Sequence, residues 1–179
     1  MCEHEQKGVT VWFTGLPSSG KSAVADRLND ILKEGGYRVE RLDGDIVRKD
    51  LTRDLGFSKA DRFENIRRVA FVAKLLTRND VCVLASFISP YREMREYAHR
   101  EIGGFLEVYV KCPLEVCIRR DVRGMYKLAL EGKIKDFTGV SDPYEEPLSP
   151  DLVLETDKES LDESAAKVLG RLKELGLLE

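Results

Sequence analysis

Eight consecutive residues carry the most definite chemistry in this chain: Gly15-Leu16-Pro17-Ser18-Ser19-Gly20-Lys21-Ser22. They fit the pattern G-x-x-x-x-G-K-[S/T] in full. Glycines permit a tight turn whose main-chain N–H groups converge on phosphate oxygens, and a helix starting there adds a favourable dipole. The Lys21 ammonium then reaches the β- and γ-phosphates of a nucleotide, while the Ser22 hydroxyl is a ligand for Mg²⁺. All eight are expected nucleotide-binding residues, with Lys21 also catalytic, and the expected cofactors are ATP and Mg²⁺.

A phosphate donor needs an acceptor. Asp43-Gly44-Asp45 offers a carboxylate that holds a cation's shell or takes the proton of an attacking hydroxyl. Taken alone, Asp-Gly-Asp is more often an ordinary turn. Its place at the end of a strand favours Asp45 as the functional carboxylate, expected both as catalytic and as a metal-linked group. Arg48 follows at helical spacing, and Arg62 with Asn65 forms an i, i+3 pair. Guanidinium forks suit phosphate or sulfate oxygens. Any single arginine could equally be a solvated helix face; several near one acid look like a pocket for an anionic acceptor.

Two further segments follow the same logic. In Ser86-Phe87-Ile88-Ser89-Pro90-Tyr91-Arg92, Ser89 reads both as a ligand contact and as the N-cap of a helix whose first turn holds Pro90. Arg119-Arg120-Asp121-Val122-Arg123-Gly124-Met125-Tyr126-Lys127 opens a polar stretch that could close as a basic lid over the phosphates. Arg119 and Arg120 would also suit a helix C-terminus with no function at all. Phe137 offers an aromatic face for a purine.

These residues need a scaffold, and the periodicity supplies one. Short apolar runs at Val9–Phe13, Arg38–Leu42, Val81–Phe87, Phe105–Val110 and Leu152–Leu154 read as strands. Amphipathic stretches lie between them, over about 21–34, 59–78, 90–102 and 113–120, with a last helix after Ser160 that buries Leu161, Ala165, Val168, Leu172 and Leu175. Gly35-Gly36 stops the first helix, Ser58 with Asp61 caps the long one, and Ser160 with Glu163 caps the last. Alternating strands and helices predict a parallel sheet covered on both faces, with ligands at the carboxyl ends of its strands. The second strand is expected beside the phosphate loop.

Composition removes other classes. The 179 residues suit one domain, 1–179, with a polar lid segment at about 119–150. Hydrophobic residues at 42% and charged residues at 34% describe a folded, water-exposed chain. A net charge of −3 without a long basic run argues against nucleic acid. No apolar stretch approaches the ~20 residues that span a bilayer. The polar start of the chain lacks a secretion signal, so a cytoplasmic location is expected. Cys2, Cys82, Cys112 and Cys117, with His4 and His99, show no zinc-ligand spacing, and Cys82 reads as a buried small hydrophobe.

The segments GLPSSGKS, LDGDIVR, DLGFSKADRFENIRR, SFISPYR, PLEVCIRRD, MYKLALEGKIKDFTG and DPYEEPLSP occur in an order that resembles the adenylyl-sulfate kinase family. That resemblance implies a P-loop NTPase fold with a five-stranded parallel sheet and a mobile lid. It implies transfer of phosphate from ATP to the 3′-hydroxyl of adenosine 5′-phosphosulfate (APS). Carried over residue by residue, it implies that Asp45 acts on the 3′-hydroxyl and that Ser89 is catalytic. Arg48, Phe57, Arg62, Asn65, Ile88, Ser89, Lys127 and Phe137 would hold APS, with Phe57 and Phe137 walling the adenine; Arg119 and Arg123 would join the nucleotide site. The chain departs from the family at Pro17-Ser18-Ser19 (usually Ser-Gly-Ala), at Ile46 (usually Asn), and at Val122, Arg123 and Met125 (usually Pro, Lys and Leu). A kinase for another small hydroxyl compound and a nucleotide-binding regulator stay open as alternatives. So do a homodimer and a functional link to ATP sulfurylase.

Overall fold

The computed structural model describes residues 6–178, so the readings on Cys2 and His4 lie outside it. In chain order the elements are β1 (Val9–Thr14), α1 (Lys21–Glu34), β2 (Val39–Asp43), α2 (Gly44–Val47), α3 (Lys59–Thr77), β3 (Cys82–Ser86), α4 (Arg92–Ile102), β4 (Phe105–Lys111), α5 (Leu114–Arg120), α6 (Met125–Leu130), β5 (Leu152–Glu155) and α7 (Leu161–Glu174). Among the described residues no helix is long and apolar enough to cross a membrane.

The five strands form one parallel sheet in the order β2-β3-β1-β4-β5. Every residue of β1 and β3 is buried, which explains why both read as unbroken apolar runs rather than as alternating ones. One face of the sheet packs on α1 and α7 through Val11, Leu28, Leu84, Val108 and Val168. The other packs on α3 and α4 through Trp12, Ile66, Val83 and Met94, with Trp12 stacked between Phe87 and Phe105 at 5.4 and 5.7 Å. A buried side chain of that size contributes about 1.5–3 kcal/mol. The central strands are therefore the rigid base on which the loops at their carboxyl ends are set.

Most expected boundaries hold, because they rest on local stop and start chemistry. Ser58 accepts from the Asp61 amide, and Ser160 with Glu163 forms a reciprocal capping box. The carboxyl end of β2 reaches the phosphate loop as expected, through Asp43 and Ser22, although β3 lies between β2 and β1. Three expectations change. Leu161 and Leu175 are 45% and 46% exposed, because they flank rather than share the stripe of α7 that faces α1. Ser89 is not a helix cap and Pro90 is not in a helix: α4 starts at Arg92, and its first amide is capped by the Glu145 carboxylate at 2.8 Å. The polar stretch after α5 contains a helix of its own, α6, which packs Tyr126 and Ala129 with Phe137 against Cys112 and Cys117.

Candidate active site

The loop between β1 and α1 is shaped by positions that only certain residues fit. A Cβ on Gly15 would lie 2.4 Å from the Val110 carbonyl oxygen, so β4 approaches too closely for any side chain there. Ser18 sits at φ 60°, a conformation that glycine adopts at little cost and serine rarely does. Lys21 folds back over the loop and donates to the carbonyls of Gly15 (3.0 Å) and Leu16 (2.7 Å). Burial pulls its ammonium down to about 8, against the opposing influence of nearby acids that include Asp43 and Asp45. Two other elements hold the loop. Tyr126 of α6 donates to the Pro17 carbonyl at 3.0 Å, and Thr156, just past β5, donates to the Ser19 carbonyl at 2.6 Å.

The acidic motif divides its work between two carboxylates. Asp43 is buried and accepts from Ser22 Oγ at 2.7 Å and from the Asp45 amide at 3.0 Å. Asp45 is half-exposed and pairs with Arg123, whose guanidinium is held above its usual range first by that hydrogen bond. The carboxylate that meets Ser22 is thus Asp43, which the sequence reading passed over in favour of Asp45. Ser22 and Asp43 together present hard oxygen donors, which suits Mg²⁺. Among the described residues no three His, Cys, Asp or Glu side chains converge on a metal position. A cation completed by phosphate oxygens needs no such cluster.

Beyond Asp45, whose charge acts on Arg48, stand two arginines that form no ion pair among the described residues. Arg62 is 9% exposed and donates to the Phe57 carbonyl (2.8 Å), to Thr138 Oγ1 (3.1 Å) and to the Asp136 carbonyl. Arg48 donates to the Gly56 carbonyl at 3.1 Å and lies 4.4 Å over the Phe57 ring. Burial, and then the neighbouring Arg62, hold the Arg48 guanidinium below its usual range. Both guanidiniums hydrogen-bond only to neutral oxygens, and Asp61 and Asp45 offset just part of the effect on Arg48, so an anion between the two arginines would relieve the rest. Arg62 also ties the Phe57 segment to the one carrying Phe137. Phe57 is 57% exposed beside these cations, whereas Phe137 is buried edge-on against Tyr126 at 5.0 Å.

The remaining expected residues fall in three groups. Asn65 is buried and accepts from Thr52 Oγ1 at 2.8 Å. Ser89 is buried at φ 40°, its hydroxyl accepting from Trp12 Nε1 and donating to Thr14 Oγ1, both at 3.1 Å. Thr14 also donates to the Ile88 carbonyl at 2.8 Å. The Arg119 and Lys127 side chains are exposed, and the Lys127 amide donates to Asp121 Oδ2 at 3.1 Å. Arg120 is the member of that pair that reaches the phosphate loop, by hydrogen bonds to Thr156 (2.6 Å) and Ser19 (3.4 Å). No sequence signal separated Arg120 from Arg119; only the end of α5 does.

The structure thus sets a loop with the glycine-lysine-serine pattern on one strand end and, beyond Asp45, an arginine pair beside an exposed aromatic ring. A family model described as adenylylsulphate kinase matches residues 7–155. This chain belongs to that family. The adenylyl-sulfate kinase of Halothermothrix orenii is 62% identical over 173 residues, covering 97% of this chain and 94% of its own. Among solved structures, the Mycobacterium tuberculosis APS kinase CysC in complex with AMPPNP and APS superposes with a TM-score of 0.90 at 45% identity, covering 94% of this chain and 99% of that one. A gluconokinase from Sinorhizobium meliloti, at 16% identity and a TM-score of 0.61 over 96% of this chain and 95% of its own, shares the fold alone. The adenylylsulphate kinase family thus accounts for the whole described chain as far as β5.

Proposed function

We propose that this chain transfers the γ-phosphoryl group of MgATP to the 3′-hydroxyl of adenosine 5′-phosphosulfate, giving the 3′-phosphorylated sulfate donor. The observation that carries the reading is the Arg48–Arg62 pair: partly buried cations, unpaired with any carboxylate and adjoining Phe57. A sulfated nucleotide offers what that surface lacks, an anionic group beside a flat ring. A neutral sugar offers neither.

The phosphate loop holds the donor through main-chain amides and Lys21, and Ser22 with Asp43 would hold the cation. When bound, Mg²⁺ supplies neutralisation of the phosphate charge that grows during transfer. Asp45 stands two residues beyond Asp43, where it accepts the proton of the acceptor hydroxyl once Arg123 releases it. Arg123 is then free to meet phosphate oxygens, so the segment about 119–150 serves as the lid. Ser89 and Ile88 shape the acceptor side, and Phe137 becomes a second wall for the adenine when it leaves Tyr126. Lys127 and Arg119 add positive charge at the lid's edge.

Three buried free thiols, Cys82, Cys112 and Cys117, fit a reducing compartment and therefore the cytoplasm. APS must come from an adenylating reaction on sulfate, so the functional link to ATP sulfurylase belongs to this proposal. A homodimer is carried with it, and sedimentation of the chain alone and with that enzyme tests both.

The deciding experiment is incubation with MgATP and APS followed by mass identification of the product. Wild-type protein forms the 3′-phosphate, and a folded Lys21→Ala variant loses at least about 10²–10³-fold in kcat, as removal of an oriented electrostatic group does. Undiminished turnover by that variant would refute the assignment of Lys21.

A further inference from the structure

One buried cation outside the two ligand pockets holds several parts of the site together. Arg95 of α4 is 3% exposed, and each side of its guanidinium is taken. Nε donates to Glu107 Oε1 of β4 at 2.9 Å, Nη1 to the Ser89 carbonyl at 2.6 Å, and Nη2 to the Glu145 carbonyl at 2.6 Å. Its plane also lies 5.7 Å from the Tyr144 ring.

The Ser89 bond matters because Ser89 is in an unfavourable conformation. It is a non-glycine residue at φ 40° and it precedes Pro90, which narrows its choices further. Such a residue persists only where its surroundings over-determine it. Two anchors do so. Thr14 grips the Ile88 carbonyl on one side of Ser89, and Arg95 grips the Ser89 carbonyl on the other. With both peptide planes fixed the Ser89 N–H has one direction, and the bonds from Trp12 and to Thr14 fix its hydroxyl. The N–H groups of Ile88 and Ser89 meet no protein acceptor among the described residues.

The same contacts close a ring. Thr14 shares a hydrogen bond with Tyr144 Oη at 2.9 Å, Glu145 donates its N–H to the Pro90 carbonyl at 2.8 Å, and Glu145 caps α4. Thr14 is the residue immediately before Gly15, so the ring joins the start of the phosphate loop to the Ser89 turn.

We propose that Arg95 is a positioning residue for the acceptor: by holding the Ser89 carbonyl it fixes the turn against which the acceptor nucleotide is set. It touches neither nucleotide. Arg95 makes no bond of its own to residues 15–22, which Tyr126, Thr156 and Arg120 hold from other elements, so loss of Arg95 acts first on acceptor use and leaves ATP binding in place. The proposal rests on the acceptor reading given above.

The test compares two variants. Glu107→Gln keeps a carbonyl acceptor for Nε and leaves both main-chain bonds of Arg95 in place. It lowers Tm while leaving the KM for APS unchanged. The double variant Arg95→Met, Glu107→Gln removes the buried pair together, so no lone charge remains to unfold the core. In folded double variant the KM for APS rises roughly tenfold or more, the size of a lost hydrogen bond to a charged donor, and the KM for ATP stays at the wild-type value. Arg95→Lys, which keeps one of the three bonds, falls between. A folded double variant with an unchanged KM for APS overturns the proposal, as does an equal rise for ATP. Wild-type protein that releases no ADP in response to APS overturns the acceptor reading instead.

Discussion

On the proposed function ATP binding rests on Lys21, and the environment of that lysine gives the binding a pH dependence. Burial holds its ammonium at about 8 in the ligand-free protein, well under the ordinary lysine range. A triphosphate favours the charged form, so binding takes up a proton whenever the pH exceeds that value. ATP affinity is therefore full below about pH 8 and falls as pH rises through it, approaching about tenfold per pH unit. Calorimetric titration in buffers of different ionisation enthalpy measures the proton uptake directly. Binding that is flat across this range, with no proton taken up, would mean that Lys21 is charged throughout.

Individual residues also mark how far the sequence could be read. The cradle was legible because its spacing encodes a turn and its chemistry together. The division of labour between Asp43 and Asp45 was not, since Asp-Gly-Asp is symmetric on paper. It resolves only when β2 ends with one carboxylate toward Ser22 and the other toward Arg123, a residue 78 positions away. Ser89 shows the same limit: serine before proline is good capping chemistry, but Glu145 from a distant segment took the cap and left Ser89 in a left-handed turn.

Among the elements, α6 is the one whose docking the phosphate loop depends on. Its Tyr126 is fully buried, packs edge-on against Phe137 and donates to the Pro17 carbonyl at 3.0 Å. Pro17 and Ser18 lie in a stretch where φ 60° at Ser18 already strains the chain. Tyr126→Phe keeps the packing and deletes the hydroxyl with its bond to Pro17 and its contact with Cys117, so it costs about 0.5–1.5 kcal/mol of stability. It also raises the KM for ATP a few-fold while leaving that for APS alone. Chemical denaturation and steady-state kinetics check the two halves. Equal effects on both substrates would show that α6 serves the whole site rather than the loop. α6 itself escaped the sequence reading because Met125–Leu130 is only six residues long and sits among glycines and lysines, with too few turns for a periodic stripe.

At the scale of the molecule, a rigid parallel sheet carries two sites of unlike character on the carboxyl ends of its strands. The five strands and the long helices were readable because buried strands and amphipathic helices leave different periods. The order of strands was not, because β2 and β1 contact each other only through β3. That order sets the phosphate loop at the middle of the sheet and the Asp43–Asp45 turn toward its edge, with Arg48, Phe57 and Arg62 beyond that turn as the wall of the proposed acceptor site. On the proposed function, this wall selects an anionic nucleotide over other hydroxyl compounds. The most direct measurement offers wild-type protein MgATP with equal concentrations of APS, adenosine and gluconate, and identifies every phosphorylated product. Phosphate is expected on the 3′-hydroxyl of APS, with adenosine and gluconate left unmodified. Phosphorylated gluconate or adenosine at a comparable rate would contradict that function.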